Sequence, residues 1–357
     1  MPKDTASRDA DIVDPEDAAR SIGLFHVGPD MEGLGRRGRG KGFSYLAADG
    51  SVIRDKALRR RLDALAIPPA WREVWICPDP RGHIQATGRD AKGRKQYIYH
   101  PDFRALRESA KYDHMMEFAA ALPAIRDHVD ADMRKRGLGF DKVAATIVHL
   151  LEHSLIRVGN ARYARTNRSH GLTTLRERHV DLSGSRIRFR FTGKSGKEWD
   201  LRLTDRRVAR VIRNLQDIPG QHLFQYLDDD GKRRPITSGE VNDYLRRISG
   251  RDVSAKDFRT WTGTVLAALA LAECEREGSR TGCDRTLREV IGSVAARLGN
   301  TPAICRKCYV HPEVIEAWLA DELVLDIRDR IDRDLAGTGL DPDERRVLAF
   351  LRRRLKS

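Results

Sequence analysis

The hydrophobic period of the chain changes once, near Asp102, and that change limits the folds open to it. Before it, short apolar runs at residues 74–77 and 83–87 sit between turn formers (Pro78, Pro80, Gly82, Gly88, Gly93). That is the texture of a small, mainly β domain, with one helical stretch near residues 56–65. After it, Val143, Ile147, Leu150, Leu151, Leu155 and Ile156 recur at helical spacing, and Gly159 is expected to stop that helix just after Arg157. A hairpin interrupts the helical part. Ile187, Phe189 and Phe191 alternate with Arg186, Arg188 and Arg190; Gly193-Lys194-Ser195-Gly196 turns the chain; Trp199, Leu201 and Leu203 alternate on the return. Later helices are expected at 262–276 and 284–298, and a last one from Asp341 as N-cap and Pro342 as first helical residue. The expected class is α+β: a polar lead-in (1–30), a β-rich domain (31–105), a larger, mainly α-helical domain (106–328) and a helical extension (329–357). Residues 101–108 are the expected hinge between the two domains.

Charge narrows the partners. Lys+Arg number 66 and Asp+Glu 52, leaving +14 at pH 7, a balance suited to a polyanion because bound phosphates release counterions. The Gly/Arg/Lys stretch at 33–42 reads either as a flexible loop or as a backbone contact with phosphates. No segment approaches the ~20 apolar residues of a membrane span. Five cysteines, an odd number in a long chain, argue against a disulfide framework and for a reducing compartment, with the cytoplasm as the expected location.

Four separate segments carry residues suited to phosphoryl chemistry. Ser154-Leu155-Ile156-Arg157-Val158-Gly159-Asn160 offers an arginine beside glycine, and the hairpin tip offers Lys194. Ala255-Lys256-Asp257-Phe258-Arg259-Thr260-Trp261 supplies a second arginine, and Leu298-Gly299-Asn300-Thr301-Pro302 leads to Cys308-Tyr309-Val310. Breaking a phosphodiester reversibly needs a nucleophile, positive partners for the crowded oxyanions and a proton for the departing oxygen. Arginine forks suit the oxyanions without metal, and no two-metal carboxylate site is legible.

In order and surroundings these segments resemble the catalytic domain of the type IB DNA topoisomerases, especially the compact poxviral and bacterial branch. Asn300 and Tyr309 keep that family's separation of nine residues (309 − 300) between the Gly-His/Asn-Thr-Pro turn and the tyrosine. Ile67-Pro68-Pro69-Ala70-Trp71 and the run from Gly88 to Tyr97 look like the branch's small DNA-clamping domain, so the resemblance covers roughly residues 35–325. It implies a clamp around duplex DNA, a monomer associated with the nucleoid, and nicking and resealing without cofactor, metal or ATP. By position, Tyr309 would form a 3′-phosphotyrosyl bond, Arg157 and Arg259 would hold the non-bridging oxygens, and Lys194 would protonate the leaving 5′ oxygen. Asn300 would donate to a phosphate oxygen. Poxviral and eukaryotic members carry histidine there, and an amide adds no charge. Arg89, Lys95, Gln96, Tyr97 and Tyr99 would contact DNA from the amino-terminal domain.

Other readings stand beside these. Arg186, Arg188 and Arg190 fit a solvated strand face, and Tyr97 and Tyr99 fit strand packing. Cys305-Arg306-Lys307-Cys308 invites zinc or redox chemistry, but no second close cysteine pair accompanies it, and a small buried cysteine is the plainer reading. His311 reads as a neighbour of Tyr309, with Pro312 opening the next helix. A tyrosine recombinase shares the Arg–Lys–Arg–Tyr set but typically places histidine where Lys256 stands, three residues before the second arginine. A DNA-binding protein that kept the fold and lost activity would not need competent residues at all five positions.

Overall fold

The computed structural model describes residues 14–40, 42–276, 278–325 and 339–356. The chain divides into two compact units, Met1–Asp113 and His114–Ser357.

The first unit is built on one antiparallel sheet of β1 (Leu34–Arg39), β2 (Gly42–Leu46), β3 (Arg72–Ile76), β4 (Ile84–Arg89) and β5 (Lys95–Tyr99), in the order β2-β1-β3-β4-β5. Alternation sends side chains to both faces. Ile76 and Ala86 pack with Tyr45, Ile67 and Leu62 of helix α2 (Lys56–Ala64), while Trp75 and Tyr99 pack with Cys77, Ile84 and Val27. Most of the Gly/Arg/Lys stretch is therefore strand, not loop. Its Arg36 is spent inside the unit, donating to the carbonyls of Ile67 (2.7 Å) and Pro68 (2.8 Å) and lying 4.1 Å from the Phe43 ring centroid.

Residues 1–13 of the lead-in lie outside the described residues; after them Asp14 caps α1 (Pro15–Ser21), whose Ala18 and Ala19 pack with Leu24 and Phe103. The expected hinge at 101–108 is not a loop, because those residues are the first turns of the 34-residue helix α3 (Pro101–Arg134). Proline is tolerated in a first turn, and Phe103 is buried against Ala18, Ala19 and Leu24, so helix is compatible with the proline and anchored by that packing.

In the second unit, α4 (Phe140–Ser154) buries Val143, Ile147, Leu150 and Leu151. A short helix α5 (Ala161–Asn167) precedes the three-stranded antiparallel sheet of β6 (Val180–Ser183), β7 (Arg186–Thr192) and β8 (Glu198–Thr204). Next come α6 (Arg206–Gln216), the pair β9 (Gln225–Leu227) and β10 (Arg233–Pro235), and α7 (Ser238–Ser249). The remaining helices are α8 (Ala255–Ala272), α9 (Arg280–Leu298), α10 (Pro302–Tyr309), α11 (Pro312–Leu319) and α12 (Pro342–Lys356). Helix α8 packs on α4, α9, α10, α11 and α12, so it is the organising element. It starts earlier than its alanine-rich stretch implies, because Ser254 and Asp257 form a capping box, the Ser254 amide donating to Asp257 Oδ2 at 2.8 Å. That box places Arg259 in the second turn of a rigid helix. Residues 326–338 of the expected extension lie outside the described residues; α12 beyond them buries Val347, Leu348, Phe350 and Leu351. Arg126 of α3 ties it down, reaching Glu152 at 2.6 Å and Glu344 at 2.8 Å, and the Trp261 indole donates to Glu344 at 3.0 Å.

Candidate active site

The hairpin forms with the predicted faces. Ile187, Phe189 and Phe191 are buried and pair across with Leu203, Leu201 and Trp199, the last pair stacking at 5.9 Å between ring centroids. On the opposite face Arg188 reaches Asp200 and Arg190 reaches Asp181 at 2.7 Å, as expected of a solvated strand face. The tip is a tight turn in which Ser195 (φ +64°) and Gly196 (φ +76°) are left-handed, leaving Lys194 exposed.

Arg157 does not sit at a helix end. Helix α4 stops at Ser154, with Leu155 itself as the left-handed cap (φ +57°). Its side chain is buried and its carbonyl is taken by Arg259, which together hold a conformation that usually falls to glycine. Gly159 is needed for another reason: its φ of +99° lies in the region that favours glycine, and a Cβ on it would come 3.0 Å from the Gly171 carbonyl carbon. The Leu172 amide donates to the Arg157 carbonyl at 2.9 Å, fixing Arg157 in an extended segment.

Arg259 is 3% exposed. Its two terminal nitrogens donate to the carbonyls of Leu155 and Leu298, so one guanidinium joins the segment bearing Arg157 to the segment bearing Asn300. Arg157 donates to Asn300 Oδ1, while the Asn300 Nδ2 is buried and has no hydrogen-bond partner among the described residues. Tyr309 ends α10, a helix opened by Thr301 as N-cap and Pro302, and the Arg259 guanidinium carbon lies 5.2 Å from its ring centroid. Burial pushes the Tyr309 phenol up, but Arg259, Arg157 and Lys194 outweigh it, and the pKa falls below the ordinary tyrosine value. Burial and the neighbouring Arg157 lower Arg259 as well, although an arginine stays charged at neutral pH. Arg157, Lys194, Arg259, Asn300 and Tyr309 thus form one constellation in which cations surround a half-buried phenol.

Other residues position these five. A Cβ at Gly263 would lie 2.6 Å from the Tyr309 carbonyl oxygen, so α8 and the end of α10 touch backbone to backbone. Thr264 donates to that carbonyl (3.3 Å) and accepts from the His311 amide (3.1 Å). Trp199 lies under both the Lys194 turn and the Asn300 turn: a Cβ at Gly193 or at Gly299 would come within 2.7 Å or 2.5 Å of its ring. Only a weak sequence signal marks Trp199, a lone indole entering the strand after a glycine turn; Gly263 and Thr264 are lost in an alanine-rich helix. His311 is the N-cap of α11, accepting from the Glu313 amide at 3.1 Å. Cys305 is buried, and burial pushes its thiol up to about 11, a poor state for metal or redox chemistry.

In the first unit, Arg89, Lys95, Gln96, Tyr97 and Tyr99 gather on the paired β4 and β5. Arg89 bonds Glu73 (2.8 Å) and Gln96 bonds Asp90 (3.1 Å). Tyr97 is exposed, stacked on Tyr99 at 5.9 Å, with the Lys95 ammonium 5.7 Å from its centroid. Tyr99 is largely a packing residue, lying against Phe103 at 5.8 Å.

Comparison with known proteins gives the family. Residues 100–323 match the family model described as eukaryotic DNA topoisomerase I, catalytic core, and residues 42–90 match that of the bacterial DNA topoisomerase IB N-terminal domain. A DNA topoisomerase 1B of Acanthamoeba polyphaga mimivirus is 30% identical over 295 residues, covering 81% of this chain and 88% of the viral protein. The DNA topoisomerase 1B of Vaccinia virus (strain Copenhagen) is 22% identical over 246 residues, covering 68% and 74%. The DNA topoisomerase 1 of Mycosarcoma maydis is 22% identical over 204 residues, covering 51% of this chain and 20% of that protein. With more than half its length matched by the catalytic-core model, the chain belongs to the type IB DNA topoisomerase family and is an isomerase of that type.

Proposed function

We propose that this enzyme relaxes positive and negative supercoils by nicking one strand of duplex DNA through Tyr309 and resealing it. The Tyr309 phenolate oxygen attacks phosphorus; the bond from phosphorus to the 5′ oxygen breaks, and Lys194 gives that oxygen its proton. Arg157 and Arg259 hold the non-bridging oxygens as negative charge concentrates on them, and Asn300 adds a neutral donor. The 5′ hydroxyl then attacks the 3′-phosphotyrosine and Lys194 recovers its proton. One phosphoester replaces another, so the energy of the broken bond is kept and no ATP is consumed; the fixed guanidinium groups supply the charge that metal ions would otherwise bring.

The observation that carries this reading is the balance at Tyr309, where three cations overcome a burial that would otherwise raise its pKa. The unused Nδ2 of Asn300 supports it, because a buried donor without a partner costs about 1–3 kcal/mol, which an incoming phosphate oxygen would relieve. Arg89, Lys95, Gln96, Tyr97 and Tyr99 add backbone or base contacts from the first unit, chiefly through the exposed Lys95 and Tyr97. The deciding experiment is plasmid relaxation in EDTA without ATP, alongside Tyr309→Phe. Relaxation by the native chain and none by the variant is expected; no relaxation by the native chain under those conditions overturns the reading.

A further inference from the structure

The turn that carries Lys194 is closed on itself: the Gly193 amide donates to the Lys197 carbonyl at 2.7 Å, and the Gly196 amide to the Gly193 carbonyl at 3.2 Å. Those bonds fix the tip relative to its own strands and leave its place against the rest of the site undetermined. A proton donor must come within about 2.6–3.2 Å of the atom it serves, so an exposed turn needs a brace.

Two contacts cross from the hairpin to the Asn300 turn. The Trp199 ring is one, lying close beneath both Gly193 and Gly299. Lys197 is the other. It is half-buried, whereas Lys194, Ser195 and Gly196 are exposed, and its ammonium donates to the Ala296 carbonyl at 3.3 Å, 99 positions along the chain. Ala296 lies in the last turn of α9, where carbonyls have lost their intrahelical partners and carry the negative end of the helix dipole. The same turn fixes the candidate site, because the Gly299 amide donates to the Ala296 carbonyl at 3.1 Å and the Asn300 amide to the Ala295 carbonyl at 2.8 Å. A flat ring limits how near the hairpin comes but lets it slide along the ring plane. A directional hydrogen bond stops the slide. The two lysines of the turn therefore divide the work: the charge of Lys194 reaches Tyr309, while Lys197 is spent on the protein itself.

We propose that Lys197 is a positioning residue for proton transfer: bonded to the Ala296 carbonyl, it holds the hairpin where Lys194 can reach the departing 5′ oxygen. The proposal rests on the reading of Lys194 as the proton donor.

The test measures single-turnover cleavage by the full chain on a duplex of fixed sequence whose cleavage site has been mapped. A second duplex carries sulfur in place of the 5′ bridging oxygen at that site. A thiol ionises near 8.5, so sulfur leaves as thiolate without receiving a proton. Lys197→Met keeps the length of the stem and removes the donor. It is expected to slow the oxygen duplex about 10- to 30-fold, less than the roughly 100-fold cost of misplacing a reacting group by about 1 Å, and the sulfur duplex less than about threefold. Lys197→Arg, which can still donate to the carbonyl, should recover most of the rate. Adding Lys197→Met to Lys194→Met should cost nothing beyond Lys194→Met alone, since both act on one step.

Equal losses on the two duplexes, or no loss on the oxygen duplex, overturn the proposal. So does a salt dependence of binding flattened by about 0.9, the mark of a lost phosphate contact, when Lys197→Met is combined with Tyr309→Phe. Lys194→Met separates the two readings. Selective loss from Lys194→Met beside unselective loss from Lys197→Met overturns this proposal alone, whereas equal losses from Lys194→Met on both duplexes overturn the proton-donor reading and the proposal with it.

Discussion

Arg259 and Tyr309 face each other across the junction of α8 and α10, with the guanidinium carbon 5.2 Å from the centre of the phenol ring. The same guanidinium donates to the Leu155 and Leu298 carbonyls, so the group that polarises the phenol also ties together the segments bearing Arg157 and Asn300.

That double attachment separates Arg259 from lysine. One ammonium cannot reproduce a planar fork that spans two carbonyls and faces a ring. Arg259→Lys should lower single-turnover cleavage about 100- to 1000-fold, the loss expected of an oxyanion-stabilising donor. Asn300→Ala, which removes an uncharged donor, should lower it only about tenfold. Rapid-quench measurement of covalent adduct on a short duplex compares the two, and equal losses would contradict the division of labour.

Because its cationic neighbours depress the Tyr309 pKa, the phenol should titrate below the ordinary value of about 10. Comparing the ultraviolet pH titration of the native chain with that of Tyr309→Phe isolates its ionisation. Arg157→Gln removes one of those charges and should move the midpoint upward. A midpoint that stays put would mean Arg157 does not act on the phenol.

Gly263 sets how closely Tyr309 can approach α8. Alanine there would put a methyl group 2.6 Å from the Tyr309 carbonyl oxygen and 3.1 Å from a Leu298 methyl carbon, so the end of α10 must shift. Misplacing a reacting group by about 1 Å can cost about 100-fold in rate. Gly263→Ala should show a cleavage loss of that order while binding DNA as tightly as the native chain.

His114 and Asp257 form a largely buried pair at 3.2 Å, and Asp257 is also the capping residue of α8. The hydrogen bond to Asp257 raises the His114 pKa, against the opposing effect of burial. A histidine whose folded pKa is raised stabilises the fold fully below its unfolded value of about 6.5, and loses that contribution as pH climbs through the folded value. His114→Gln should therefore lower the denaturation midpoint more at pH 5.5 than at pH 9. A deficit independent of pH would assign the effect to packing.

The hairpin and the order of the five candidate residues could be read directly from the chain, because alternation and turn chemistry are settled by neighbouring residues. Arg188 and Arg190 follow that local rule even in their ion pairs, and Arg186 is exposed on the same face. Legibility fails where one segment constrains a distant one. Gly159 looked like a helix stop, yet its smallness answers to Gly171, and the helix ends at a leucine instead. Residues 101–108 read as a linker, yet they are helix, and Phe103 among them is buried against Ala18, Ala19 and Leu24 from far earlier in the chain.

The sequence alone determined which chemical groups this protein has available and in what order, since those are properties of residue type and spacing. Tertiary structure decided their assembly. Arg259 bridges Leu155 and Leu298, residues 104 and 39 positions away; Trp199 underlies two turns; and Gly263 lets α8 meet Tyr309. Each of these depends on contact between surfaces remote in the chain, where hard-sphere packing and the satisfaction of buried carbonyls choose the residue, and no local period records that choice.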